Sequence, residues 1–405
     1  MIKASPSVLI RPIHPFPARM APSIVWNALP KKKKQLTILD PMSGSGTSLV
    51  YTRARGHQAI GCDIDPLALV ISRAWCSDVD RDALKRKGYI VLKRAMEVAQ
   101  RRQIEDCYPS GADAETRQFI DFWFDEENCR QLTALATSIA QIKSYNERAL
   151  LWSAFSRLII TKKIGVSLAM DVSHSRPHKV YEKAPIHPFD KFMHSVSYIA
   201  DKSPFTADSA KGPEADISYG DARCLPLPSQ SVDMIITSPP YLNAIDYIRG
   251  HKLSLVWMGH TIAGLRSTRA ATTGSTILSS LCHSKIIQDV MSKMGDVEYL
   301  NTKYIRMIHR YLADINKIFE ECARVLKPDC RATFVIGDCT IMGVFIRNSV
   351  AFQRMAKQNG FVLMNKSSRP ILQSRRYLPP PNCDRAGEKM QKRIKEEVIL
   401  NFQLR

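Results

Sequence analysis

Between Leu36 and Pro66 the chain passes through an apolar run, a glycine loop, a helix-like run and a second apolar run, and few folds accept that order. LTILD, Leu36 to Asp40, breaks into PMSGSGT, and SLVYTRARG then resumes with helix-like content. HQAIGCDIDP reads as a second strand ending in Asp63 and Asp65, with Pro66 in the first turn of the next helix. Two strands joined by one helix make a βαβ unit, whose right-handed crossover builds a parallel sheet. The fold class is therefore α/β.

The same reading continues down the chain. ISYGDARCLPLPSQSVDMIITSPPY holds two more strands, and RATFVIGD, FVLMN and EEVILNFQ bring the expected number to seven. From about Arg81 to Ala200 the pattern is helix-like, so residues 81–213 are expected to form a largely helical insertion. Eight basic side chains fall between Arg81 and Arg102, either a phosphate-facing surface or the wet face of an amphipathic helix. Asp171 to Pro188 is polar, carries three histidines and reads as a loop of functional length. LRSTRAATTGS is a polar segment in a smaller insertion over 259–300. A long helix from about Glu298 to Leu326 is expected to stop in a turn at Lys327 to Asp329. PPPN, Pro379 to Asn382, reads as a loop or hairpin tip.

Lysine and arginine total 58 against 38 acidic residues, a formal charge of +20, which attracts a polyanion over distances set by salt. Nucleic acid leads the expected partners. Hydrophobic residues at 45% and charged residues at 24% exclude collagen-like and wholly disordered chains. No stretch approaches the roughly 18 apolar residues of a transmembrane helix. The start, MIKASPSVLIRPIHPFP, lacks a signal-peptide core, so a cytoplasmic protein without a membrane partner is expected. The ten cysteines include no CxxC pair, which argues for reduced thiols and against a metal site.

DPMSGSGT, Asp40 to Thr47, sets Gly44 and Gly46 where a backbone turns tightly against a ligand, with serine donors beside them. It lacks the lysine of a phosphate-binding loop and is not GxGxxG, which disfavours ATP and dinucleotides. Asp63 lies about twenty residues on, where a carboxylate accepts both hydroxyls of a ribose. A helix N-cap is its alternative role, one that suits Asp65 better. A ribose without a required pyrophosphate describes S-adenosylmethionine. IITSPPY, Ile235 to Tyr241, delivers Ser238, Pro239, Pro240 and Tyr241 at a strand end. The two prolines fix the backbone so that carbonyls can face an amine, and Tyr241 can stack a flat ring.

Taken together these segments resemble the S-adenosylmethionine-dependent amino-methyltransferases of nucleic acids, and TSPPY, Thr237 to Tyr241, is similar to the signature of N4-cytosine DNA methyltransferases. By that resemblance Asp40, Pro41, Ser43, Gly44, Gly46 and Thr47 form the first cofactor motif, and Asp63 and Ile64 the second. Asp221 and Ala222 of YGDA form the third, with Asp221 on the adenine amine. HPFPARM resembles the amino-terminal motif, with Phe16 and Pro17 beside the methionine moiety. The likeness covers roughly residues 10–80 and 214–405 and departs from the usual layouts in its long insertion between the second and third motifs.

The resemblance implies a Rossmann-like class I methyltransferase with a mostly parallel seven-stranded sheet. Its catalytic core would be discontinuous, 1–80 with 214–405, and 81–213 would be a candidate target-recognition region, with 259–300 touching DNA. It implies S-adenosyl-L-methionine as cofactor, S-adenosyl-L-homocysteine as product, and double-stranded DNA with a flipped-out base as substrate. A cognate restriction endonuclease would be a companion, and monomer or homodimer stays open. Ser238 and the backbone of Pro239 and Pro240 would hold the amine while Tyr241 stacks the base. Serine before Pro-Pro-Tyr favours cytosine, with N6-adenine, an RNA base, or a binding-only module as alternatives. In NAIDYIRGHK, Asn243, Tyr247, Arg249 and Lys252 are candidate contacts to base or flanking phosphates, or else a solvated helix face.

Overall fold

The computed structural model describes residues 10–17, 19–30, 34–101, 107–209, 211–242, 246–273, 285–371 and 396–405. All seven expected strands form, as β1 (Thr37–Asp40), β2 (Gln58–Asp63), β3 (Asp216–Tyr219), β4 (Val232–Thr237), β5 (Leu326–Ile336), β6 (Phe361–Pro370) and β7 (Glu396–Leu404). They make one sheet in the order β6-β7-β5-β4-β1-β2-β3. Only β7 runs against its neighbours, antiparallel to both β5 and β6. Strand order reverses between β1 and β4, whose pairing is parallel, and such a switch point opens a crevice beyond the strand ends.

Side chains alternate across each strand, and the alternation divides the protein into two cores. Ile38, Met234 and Ile236 face one apolar cluster; Leu39, Ile235 and Phe334 face the other. The first cluster takes in α1 (Pro22–Ala28), α2 (Thr47–Ala54), α3 (Pro66–Cys76), α4 (Arg81–Arg101), α5 (Ala114–Trp123), α6 (Glu126–Ala140), α7 (Tyr145–Ile159), α8 (Pro188–Lys202) and α9 (Tyr247–Leu255). After α10 (Ile262–Ala271) come α11 (Lys285–Met294), α12 (Thr302–Val325) and α13 (Asn348–Gln358), which fill the second. Four of the helices between β2 and β3 start at side-chain caps. Asp65, Asp113, Asp125 and Ser144 each accept a backbone N–H of the first turn through the side chain. Among the described residues no helix is long and apolar enough to cross a membrane.

Three local readings change. The long helix starts at Thr302, capped by Asn301, and runs directly into β5. The turn expected at Lys327 to Asp329 is instead the start of that strand. Pro328 and Asp329, whose φ is 58°, sit where the β4–β5 register slips between Val232 and Met234, a bulge that tolerates a residue without an N–H. The polar segment after Gly259 is helix α10, and its single buried residue, Leu265, explains why no apolar stripe announces it. Asp171 to Pro188 contains a 3-10 turn, Val172–His174, and one arm of a small hairpin pairing Ala169–Met170 with His178–Lys179. The loop or hairpin tip expected at Pro379 to Asn382 lies outside the described residues.

Candidate active site

The crevice at the switch point is a cleft of about 910 Å³, its mouth included, bounded by the ends of β1, β2 and β4. Asp40 closes β1 and is buried. Its Oδ1 accepts from Thr237 Oγ1 at 2.7 Å and from Met42 N at 3.2 Å, and its Oδ2 accepts from Ser48 Oγ. Burial pushes this carboxyl up to about 6 against those hydrogen bonds. The loop that follows turns through Gly44 (φ 49°) and Gly46 (φ 86°), both in the left-handed region that glycine adopts without strain. A side chain at Gly46 would lie 2.9 Å from Ser72 Cβ and 3.0 Å from Ser72 Cα, so α2 and α3 approach closely only because this residue is bare.

Asp63 closes β2 and braces the loop: Gly44 N donates to Oδ2 at 2.8 Å and Asp65 N donates to Oδ1 at 2.9 Å. Burial, and next the charge of Asp65, push Asp63 up to about 7. Asp65 caps α3 and also meets His251 Nδ1 at 2.5 Å, a buried pair that ties α3 to α9. The Phe16 ring stacks on Tyr247 with centroids 5.5 Å apart and lies 5.1 Å from the His251 ring. The amino-terminal segment and α9 therefore form one aromatic wall of the cleft.

At the end of β4 the chain leaves through Ser238, Pro239, Pro240 and Tyr241. Ser238 Oγ donates to the Tyr241 hydroxyl at 3.4 Å, and Tyr311 of α12 donates to the Pro240 carbonyl at 3.1 Å. Burial, then the charge of Glu397, raise the Tyr241 hydroxyl above its ordinary range. On the opposite side Arg223 grips Asp221 through Nε and Nη2, at 2.6 to 3.1 Å, and reaches Asp314 at 2.8 Å and the Ala271 carbonyl at 2.7 Å. Burial works to raise the Asp221 carboxyl, but the hydrogen bonds and charge of Arg223 outweigh it and hold Asp221 below the usual range.

Of the residues singled out in the sequence, Phe16, Asp40, Pro41, Ser43, Gly44, Thr47, Asp63, Ile64, Asp221, Ala222, Ser238, Pro240 and Tyr247 line this one cleft. Gly46 stands behind the loop as the residue before α2, and Pro17 is buried outside the lining. Pro239 and Tyr241 belong to the turn without lining the cleft, and Arg249 and Lys252 sit on α9 outside it. Tyr247 parts company with those two cations by turning inward onto Phe16. Asn243 lies outside the described residues. Sequence reasoning missed Met20, Ile248, Thr272 and Thr273 in the lining, and Arg223, which joins its near neighbour Asp221 to Ala271 and Asp314 from distant parts of the chain. Among the described residues no group of three His, Cys, Asp or Glu could hold a metal ion.

The strand order and the crevice at its switch point are those of a Rossmann-like, mostly parallel α/β sheet. No family model matches the chain. Along most of its length it is similar to Type II methyltransferases. M.MvaI of Kocuria varians is 22% identical over 392 residues, 85% of this chain and 80% of that protein. M.BsoBI of Geobacillus stearothermophilus is 22% identical over 381 residues, 80% and 73% of the two chains. M.AvaI of Nostoc sp. is 24% identical over 372 residues, 82% and 74% of the two chains.

Proposed function

We propose that this protein is a site-specific DNA methyltransferase that moves a methyl group from S-adenosylmethionine to the exocyclic N4 amine of a cytosine flipped out of the duplex. The observation that carries the reading is the Ser238–Tyr241 turn at the end of β4, bonded through Thr237 to Asp40 and so fixed against the glycine loop and Asp63. The likeness to Type II methyltransferases supports DNA as the substrate, and the +20 charge suits a polyanion. The cytoplasm is where such an enzyme meets its substrate, and a cognate restriction endonuclease is its expected companion.

The residues present fit S-adenosylmethionine. Ser43 Oγ is buried in the glycine loop without a partner among the described residues, the bare Gly44 lets the ligand approach the backbone, and Asp63 offers a carboxylate to the ribose hydroxyls. Phe16 and Tyr247 supply the aromatic wall, and Asp221 and Ala222 the far side. When bound, the cofactor supplies an electrophilic methyl group on a sulfonium.

The chain's task is to make a poor nucleophile attack. An exocyclic amine delocalises its lone pair into the ring, and acceptors that take its hydrogens turn that pair outward. Ser238 and the backbone about Pro239 are those acceptors, held rigid by the two prolines and by Tyr311 on the Pro240 carbonyl. Tyr241 stacks the base. The amine nitrogen would take the methyl in one displacement as the methyl–sulfur bond breaks and S-adenosyl-L-homocysteine leaves, one amine proton passing to solvent and no covalent bond forming to the protein. The target base leaves the duplex to reach such a turn.

The test is mass spectrometry of nucleosides from the DNA of a modification-free host expressing the intact protein or Tyr241→Ala. N4-methylcytosine with the intact protein alone is the expected result. N6-methyladenine would keep the site chemistry and overturn the base assignment, and an unmodified pool in both samples would overturn the reading.

A further inference from the structure

We infer that the face formed by α9, α10 and α5 beside the cleft is where the sugar-phosphate backbone flanking the target base is held. This rests on the DNA methyltransferase reading. Four cations meet there: Arg249 and Lys252 of α9, and Arg266 and Arg269 of α10. Arg249 is exposed, and the side chains of Arg266 and Arg269 keep 60% and 53% of their surface. Two carboxylates answer them, Glu115 on Arg266 and Asp246 on Arg269, the latter pair at 2.7 Å. The cluster therefore keeps an excess of two positive charges on a small area. Like charges held together cost stability unless an anion joins them. Lys252 registers the strain: burial, then the charge of Arg269, lower its pKa, with Arg249 and Arg266 adding to the effect.

The surroundings suit a nucleic-acid strand. Lys252 Nζ lies 4.8 Å from the centre of the Phe119 ring, and Lys179 Nζ lies 5.1 Å from that of Phe122, which is 52% exposed. Phe119 is partly buried and Phe122 is open to solvent, and cations laid over such rings make a surface that binds phosphate and offers an aromatic face to a sugar or base. The face also runs into the site. Thr272 and Thr273, directly after α10, line the cleft, and the Ala271 carbonyl accepts from the same Arg223 that grips Asp221. A strand lying across α10 would deliver its flipped nucleotide beside Ser238.

The experiment is duplex DNA binding by fluorescence anisotropy across a salt series, with the whole chain. Arg249→Gln combined with Arg266→Gln is expected to weaken binding about tenfold and to flatten the plot of log affinity against log salt by about 2, near 0.9 for each phosphate no longer neutralised. Cofactor affinity and melting temperature should match the unaltered protein, and the charge-keeping pair Arg249→Lys with Arg266→Lys should restore the slope. Neutralising Arg86 and Lys93, exposed on α4, should leave it unchanged. An unaltered slope in the first variant, or an equal fall in the α4 variant, overturns the inference even if the protein methylates DNA. An unaltered protein that neither binds nor methylates DNA overturns the functional reading and the inference together.

Discussion

Thr237 Oγ1 donates to Asp40 Oδ1 across 2.7 Å, so the last residue of β4 is bonded to the last residue of β1 inside the sheet. Each of these residues opens into a different half of the chemistry, Asp40 into the glycine loop and Thr237 into the Ser-Pro-Pro-Tyr turn. Replacing Thr237 by Val keeps the shape and removes a donor from a buried carboxylate, a loss of about 1–3 kcal/mol of stability. Turnover should fall more than cofactor affinity, because Ser48 still holds Asp40 while, among the described residues, no other hydrogen bond joins the strand leading into the turn to it. Urea unfolding and steady-state kinetics check both, and an unshifted unfolding midpoint would refute the role.

The two glycines of the loop are not equivalent. Gly44→Ala meets only the edge of Phe16, at 3.5 Å, and should cost about 1–2 kcal/mol for its left-handed backbone. Gly46→Ala adds a collision with the Ser72 backbone to the same strain and should cost about 2–4 kcal/mol. Paired chemical denaturation curves measure the difference; equal losses would mean that α2 can retreat from α3.

The carboxyls of Asp63 and Asp40, pushed up to about 7 and about 6, bind protons more tightly folded than unfolded. Their stabilising contribution is complete below the ordinary aspartate value of 3.8 and declines as pH rises through 6 and 7. Cofactor affinity should run the other way. Ribose hydroxyls donate, so the ionised Asp63 receives them best, and binding should tighten as pH passes upward through about 7. Asp63→Asn should flatten that dependence and weaken binding at high pH. Calorimetric titrations from acid to alkaline pH test it, and a parallel dependence in the variant would assign the titration to another group.

Tyr311 acts on the turn from outside, through the Pro240 carbonyl. Tyr311→Phe should lower kcat several-fold, the worth of about 1 kcal/mol in one buried hydrogen bond, and leave cofactor affinity unchanged. Tyr241→Ala and Pro239→Ala should abolish methyl transfer, also with little change in cofactor binding. A matching loss of cofactor affinity in any of the three would show that the turn and the cofactor cleft fold as one unit.

Much of this was legible because it is local. The seven strands follow from short apolar runs bounded by turn residues, and Asp65 declares itself as a cap by standing before Pro66. That Asp40, Gly44 and Asp63 gather at one cleft was legible for the same reason, since they stand at or beside the ends of consecutive elements. What stayed hidden depends on distance along the chain. Arg223 joins residues 221, 271 and 314, and the His251–Asp65 pair spans 186 positions, so no window of sequence contains either. Helix α10 was missed because one buried leucine gives no periodicity. The Pro328 bulge was missed because proline signals a turn unless a neighbouring strand makes room for it.

The helices between β2 and β3 share one apolar core with the switch-point strands, where Ile120, Leu132, Phe155 and Val196 belong to the same cluster as Ile38, Val50 and Met234. A segment set into the core in this way is not a cassette. Lifting it out to graft another in its place would open the floor beneath the cofactor loop. Altered recognition is therefore to be sought in single exposed side chains on this fixed frame, with point libraries rather than segment shuffling.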